Sequence, residues 1–143
     1  MRGFQFHAPQ TLDAVHALLA EHGFDAKLLS GGTSLLQFMK QQLVQPEHIV
    51  SLGRVPGLDG IDIDGDTLRV GGRAIYRDME RHTGIAERIP LLRYALSHVA
   101  TMRIREMATV GGALGQADPA QDLPGVWAAL NAHGRDMAQC IAQ

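Results

Sequence analysis

An α+β fold of two successive subdomains is predicted by three features of the 143-residue sequence. Up to about Gly53, short apolar runs alternate with helical-period stripes and glycine turns, the order expected of a small βαβαβ unit. From Gly57 the hydrophobic period becomes two, as in a β-hairpin. After Pro90 helical spacing returns, so residues 57–143 read as a mixed α/β subdomain following a small one over residues 1–53. The junction between them is too short for a flexible linker. A chain of this length has room for one domain, which buries roughly 70% of the surface its unfolded form exposes.

Each element has a local cause. FQFHAP is a short strand stopped by Pro9, and Thr11 stands in an N-cap position before a helix over about residues 12–22. Leu12, Val15, Leu18 and Leu19 repeat along it, and Gly23 follows where a left-handed C-terminal residue is wanted. Ala26 to Leu29 form a buried strand. SGGTS, Ser30 to Ser34, is a glycine turn, with Ser34 a candidate N-cap for a helix from Leu35 that carries Leu35, Met39 and Leu43 on one face until Pro46. Ile49 to Leu52 return as a strand. Ile61 and Ile63, then Leu68 and Val70, flank the turn signal Asp64-Gly65-Asp66. PLLRYALSHVA is a helix, with Leu92, Leu96 and Val99 inward and Tyr94 and Ala95 near the buried edge.

Composition excludes several kinds of function. With 13 Lys+Arg against 15 Asp+Glu the net charge is −2, which leaves no positive excess for nucleic acid or an anionic membrane. The single cysteine, Cys140, excludes a disulfide framework or an iron–sulfur cluster held by this chain alone. The N-terminus lacks the apolar core of a signal peptide, and no run approaches a membrane span, so a cytoplasmic location is expected.

The candidate chemistry is anion binding. Paired Gly31 and Gly32 allow positive φ and close approach of a ligand to backbone N–H groups. Thr33 and Ser34 add hydroxyls, and the following helix aims its positive end at the same point. An ordinary strand-to-helix turn accounts for this segment equally well. A second pair, Gly111 and Gly112 after Thr109, is read as another turn rich in exposed N–H groups, and two such turns point to a diphosphate. Asp118 and Asp122 are candidate acceptors for ribose or ribityl hydroxyls, although Asp118 fits a helix cap better and Asp122 fits a helix start about equally well. No GxGxxG or Walker A loop occurs, and Arg103 and Arg105, though able to neutralise phosphate, read better as a solvated strand edge. No nucleophile, general acid or base is nominated. The histidines, among them His16, His22, His82 and His98, lack metal-ligand spacing, so no metal site is expected and they read as surface residues.

The glycine segments and their surroundings carry a resemblance. FQFHAPQTLDAVHALLAEHG, AKLLSGGTSLLQFMK, LRVGGRA, PLLRYALSHVA and IREMATVGGALGQADPAQDLP follow one another as in the FAD-binding domain of the medium, flavoprotein subunit of the molybdenum hydroxylases. That group includes xanthine dehydrogenases, aldehyde oxidoreductases and aerobic carbon monoxide dehydrogenases. The resemblance implies a two-subdomain FAD-binding fold of the vanillyl-alcohol-oxidase (PCMH) type, with Leu28, Leu29, Ser30, Gly31, Gly32, Thr33, Ser34 and Leu35 around the pyrophosphate. Thr109, Val110, Gly111, Gly112 and Ala113 would approach from the other side, and Asp122 would match a flavin-site carboxylate. It further implies an oxidoreductase whose partners are a molybdopterin-binding large subunit and a [2Fe–2S] small subunit, with NAD or oxygen as electron acceptor.

Two departures qualify what carries over. Where family members often have Asn, this chain has Glu106 and Ala113. The family also continues into another strand, an aromatic flavin contact and a further domain, whereas NAHGRDMAQCIAQ closes this sequence, so a truncated member or a fragment is expected. Truncation sets up the alternative of a non-catalytic scaffold or partner-binding module that holds FAD weakly or not at all. A cell-wall-precursor reductase of the same superfamily is disfavoured by ADPAQDLP.

Overall fold

The computed structural model describes residues 3–130. Its first layer is a parallel sheet of β1 (Gln5–His7), β2 (Ala26–Leu29) and β3 (His48–Ser51), in the order β1-β3-β2. Gln5 pairs with His48 on one side of β3, and Ala26 pairs with His48 on the other. Parallel pairing requires crossovers, and α1 (Leu12–His22) and α2 (Thr33–Lys40) supply them. Thr11 caps α1 by accepting from the Ala14 N–H at 3.2 Å, and Gly23 ends it at φ 53°. Val15, Ala26, Val50, Leu52 and Val55 form the core beneath α1.

The second layer begins with the hairpin β4 (Ile61–Asp64) and β5 (Thr67–Val70), in register Ile61↔Val70 and Asp64↔Thr67. Six short helices follow: α3 (Tyr76–Arg81), α4 (Thr83–Arg88), α5 (Pro90–His98), α6 (Met102–Arg105), α7 (Val110–Gln116) and α8 (Asp122–Ala129). Their shared core is built on Tyr76, Met79, Ile85, Leu92, Leu96 and Leu123, with one face of the hairpin packed against it. Cys140 lies outside the described residues. No described helix is long and apolar enough to cross a membrane.

Four local expectations are corrected. Helix α2 starts at Thr33 rather than Leu35 and ends at Lys40, well before Pro46. It closes because Gln42 takes φ 61° and the Leu43 N–H donates to the Phe38 carbonyl at 2.9 Å, a Schellman-type termination without the usual glycine. Leu43 therefore leaves the buried face and is 68% exposed. Tyr94 points outward, because Leu92, Ala95 and Leu96 define the buried face and Tyr94 sits two residues, about 200°, from Leu92. Arg103 and Arg105 are on the helical turn α6 rather than a strand edge, and Arg105 is buried. Its guanidinium bonds Glu80 at 3.2 Å and the Val99 carbonyl at 2.8 Å, which satisfies it.

Candidate functional site: a cleft between two glycine bends

The first bend follows directly from β2. Gly32 takes φ 75°, ψ 0°, a left-handed conformation that suits glycine, and becomes the N-cap of α2 without any side-chain cap. Ser34 is accordingly inside the helix rather than its cap. Among the described residues, no acceptor takes the N–H groups of Gly31, Gly32, Thr33, Ser34 and Leu35, and the first helical bond is Leu36 N–H to the Gly32 carbonyl at 3.0 Å. Five adjacent donors at the positive end of a helix form a cradle for an anion.

The second bend differs from its expectation. Thr109 bridges Ile75 and caps α7, and the donors that were read as exposed are engaged. Val110 N–H donates to the Ala74 carbonyl, Gly111 N–H to the Gly72 carbonyl at 2.8 Å, and Gly112 N–H to Thr109 Oγ1 at 3.2 Å. Ala113 N–H donates to the Thr109 carbonyl. The glycines here serve close approach: a Cβ on Gly111 would lie 2.8 Å from the Gly72 carbonyl oxygen. Likewise a Cβ on Gly31 would overlap the Met107 carbonyl and lie 3.2 Å from the Thr109 nitrogen. The two bends therefore touch, and Thr109 Oγ1 donates to Ser30 Oγ at 2.9 Å across them.

Together they border an open cleft of about 1110 Å³. Leu28, Ser30, Gly31, Gly32, Thr33, Ser34 and Leu35 line it from the first bend, and Thr109, Gly111, Gly112 and Ala113 from the second. Leu29 does not line it, since its side chain lies beneath Gly32, and Val110 is in the core at 1% exposure. Asp118 is also off the cleft wall. Its carboxylate accepts from the Ala120 N–H at 2.9 Å, closing a turn rather than starting a helix. Asp122, the first residue of α8, does line the cleft, and none of the hydrogen bonds or ion pairs found among the described residues uses its carboxylate.

Two cleft residues escaped the sequence reading. Tyr76 is 2% exposed and its hydroxyl has no partner among the described residues; burial pushes its pKa up to about 12, so it stays a neutral donor. Arg73 has a buried, unpartnered Nε and no carboxylate in ion-pair range among the described residues. It follows Gly71-Gly72, whose carbonyl holds the second bend, and a cation directly after a glycine pair is the only sequence signal that marked it. A cleft with five free N–H groups on one wall and an unpaired guanidinium on another has the donor set for a polyanion. The sequence reading also missed a histidine cluster elsewhere, where His7, His22 and His48 converge.

The fold is that of a flavin-binding domain. The family described as the FAD binding domain in molybdopterin dehydrogenase matches residues 2–135, and the chain belongs to it. Among its relatives, the carbon monoxide dehydrogenase medium chain of Hydrogenophaga pseudoflava is 38% identical over 130 residues, 91% of this chain and 45% of that protein. The 6-hydroxypseudooxynicotine dehydrogenase complex subunit alpha of Paenarthrobacter nicotinovorans is 32% identical, over 91% of this chain and 44% of that one. Among solved structures, carbon monoxide dehydrogenase from Hydrogenophaga pseudoflava superposes with a TM-score of 0.84, covering 87% of this chain and 44% of that one. Quinoline 2-oxidoreductase from Pseudomonas putida 86 gives 0.83 at 32% identity. The chain thus spans less than half the length of these relatives.

Proposed function

We propose that this chain holds FAD in the cleft between its two bends and serves as the flavin-bearing part of a molybdopterin-dependent oxidoreductase. The observation that carries the reading is the cradle of unpartnered N–H groups from Gly31 to Leu35, which with the adjoining second bend borders a cavity large enough for a dinucleotide. The orphaned Tyr76 hydroxyl and Arg73 Nε support it, because buried polar groups without partners in the protein are groups a ligand can satisfy.

In this reading the N–H groups of the first bend hold the pyrophosphate and Arg73 neutralises it. Asp122 accepts from a sugar or ribityl hydroxyl, while Thr109 fixes the spacing of the walls through Ser30. The second bend acts as a buttress rather than a second phosphate grip, since its donors are engaged. Bound there, FAD would supply a centre stable with one or two added electrons, joining iron–sulfur chemistry on a [2Fe–2S] subunit to an acceptor such as NAD or oxygen. A molybdopterin-binding large subunit would choose the substrate. The fold is read as the PCMH type, with residues 1–53 as the small subdomain and 57–143 as the second.

The test is a flavin titration of the full chain, following quenching of FAD fluorescence. Saturable quenching is expected. Arg73→Ala should weaken it by roughly tenfold or more, the value of one charge-assisted hydrogen bond. Gly32→Val should weaken it further, because the residue holds φ 75° and its Cβ would lie 2.8 Å from Leu29 Cδ1. A natively folded chain that leaves FAD fluorescence unchanged would sink the reading in favour of a colourless scaffold that binds a partner.

A further inference from the structure

Three imidazoles meet on the parallel sheet with no role in the cleft. His7 ends β1, His22 ends α1 and His48 begins β3, so elements distant in sequence bring them together. One ring nitrogen from each lies within 4.8 Å of the others, and each side chain is half-buried. Nε2 of His7 and Nδ1 of His48 are 3.1 Å apart, one donating to the other. The rings of His22 and His48 stack with centroids 3.7 Å apart and planes within 4°. Among the described residues no carboxylate pairs with any of them. Three neutral imidazoles carry three lone pairs, and the one hydrogen bond present uses one of those.

We propose that His7, His22 and His48 form a three-histidine site for a divalent transition-metal ion of the zinc class. Imidazole nitrogen suits zinc, nickel and copper, and three protein ligands leave one coordination position open to water. Two nitrogens bound to one tetrahedral zinc stand about 3.3 Å apart, given metal–nitrogen distances near 2.0–2.1 Å. The His7–His48 pair is already at 3.1 Å. An ion must lie in the plane of each ring, which two stacked rings cannot both satisfy, so binding turns His22 about its Cβ–Cγ bond. That torsion is broad for histidine, and the residue sits at the open end of α1. The ion would take the place of the His7–His48 hydrogen bond, the donating ring moving its proton to its other nitrogen, and tie β1, β3 and the end of α1 together. None of the three lines the flavin cleft, but Gly23 and Phe24, which follow His22 directly, do. The site therefore fixes a turn on the cleft wall.

The test uses the full chain without an affinity tag, stripped of metal, with Zn²⁺ as probe against a chromophoric chelator. One ion per chain is expected, with a rise in melting temperature on its addition. His7→Gln, His22→Gln and His48→Gln should each weaken binding by at least roughly tenfold, since even outer-shell changes at metal sites cost 10- to 100-fold. His16→Gln, an exposed change on the same helix, should leave it unchanged. Circular dichroism without metal checks folding, and His22→Gln at the helix end is the variant least able to disturb the sheet. Co²⁺ substitution should give the visible bands of a tetrahedral site. No bound zinc in the parent, or equal affinity in the parent and a folded His22→Gln variant, overturns the proposal.

Discussion

Gly31→Ala is the sharpest perturbation of the cleft, because the added methyl meets backbone rather than a movable side chain. Its Cβ would overlap the Met107 carbonyl oxygen, with the Met107 carbonyl carbon at 3.0 Å and the Thr109 nitrogen at 3.2 Å. Relief requires the two bends to separate, which strains packed backbone and breaks the Thr109–Ser30 hydrogen bond at 2.9 Å. Overpacking of this kind costs about 1–3 kcal/mol and the lost bond about 1 kcal/mol, together about 2–4 kcal/mol. At about 4 °C per kcal/mol for a domain of this size, Tm should fall by roughly 8–16 °C in differential scanning fluorimetry. Flavin affinity should drop as well, since the separation moves the donors of the first bend. The control is Gly125→Ala in α8, where nothing lies within 4 Å, and the same chemical change should stabilise by about 0.5–1 kcal/mol. If Gly31→Ala melts with the parent and binds FAD equally well, the claim that the bends are held in backbone contact is wrong.

Other substitutions separate structure from binding. Tyr76→Phe removes a buried hydroxyl that has no partner among the described residues, so apo stability should hold or rise by up to about 1 kcal/mol while FAD affinity falls roughly 3- to 10-fold. Reduced stability with unchanged affinity would contradict that assignment. Thr109→Val loses the cap of α7 and the link to Ser30 and should cost about 1–2 kcal/mol in urea denaturation, most of it restored by Thr109→Ser. At Glu80, burial pushes the carboxyl upward, but the hydrogen bonds and charges of Arg77 and Arg105 outweigh it and hold the pKa below its ordinary value. A carboxylate depressed in this way stabilises the fold above its unfolded pKa, about 4.3, and loses that contribution as pH falls through the folded value. Glu80→Gln should therefore lower stability at neutral pH by on the order of 3 kcal/mol and flatten the acid limb of a Tm-against-pH profile. Parallel acid limbs for variant and parent would refute the assignment.

Much of the architecture was legible because its causes are local. Thr11 before an apolar stripe, Gly23 after it, the period-two run around Gly65 and Pro90 at a helix start each act within a few residues, and each element stands where its signal does. The misreadings have the opposite character. The end of α2 depends on Gln42 adopting a left-handed turn that its side chain does not advertise. Arg105 has the sequence of a solvated charge, and only folding brings Glu80 beside it. Asp118 and Asp122 look alike in ADPAQDLP, yet one closes a turn and the other lines the cleft.

The amino-acid sequence by itself determined the elements up to the hairpin, the helix from Pro90, the two glycine bends and the family, since periodicity, caps and motif order are properties of neighbouring residues. Tertiary structure alone decided which bend keeps its donors, because the Gly111 N–H is taken by Gly72, a residue 39 positions earlier. It also decided that Tyr76 and Arg73 face a cleft without partners among the described residues and that His7, His22 and His48 share one corner. The physical reason is common to all three: hydrogen-bond acceptors and imidazoles act over a few ångströms, and chain spacing says nothing of such distances until the sheet and helices have packed.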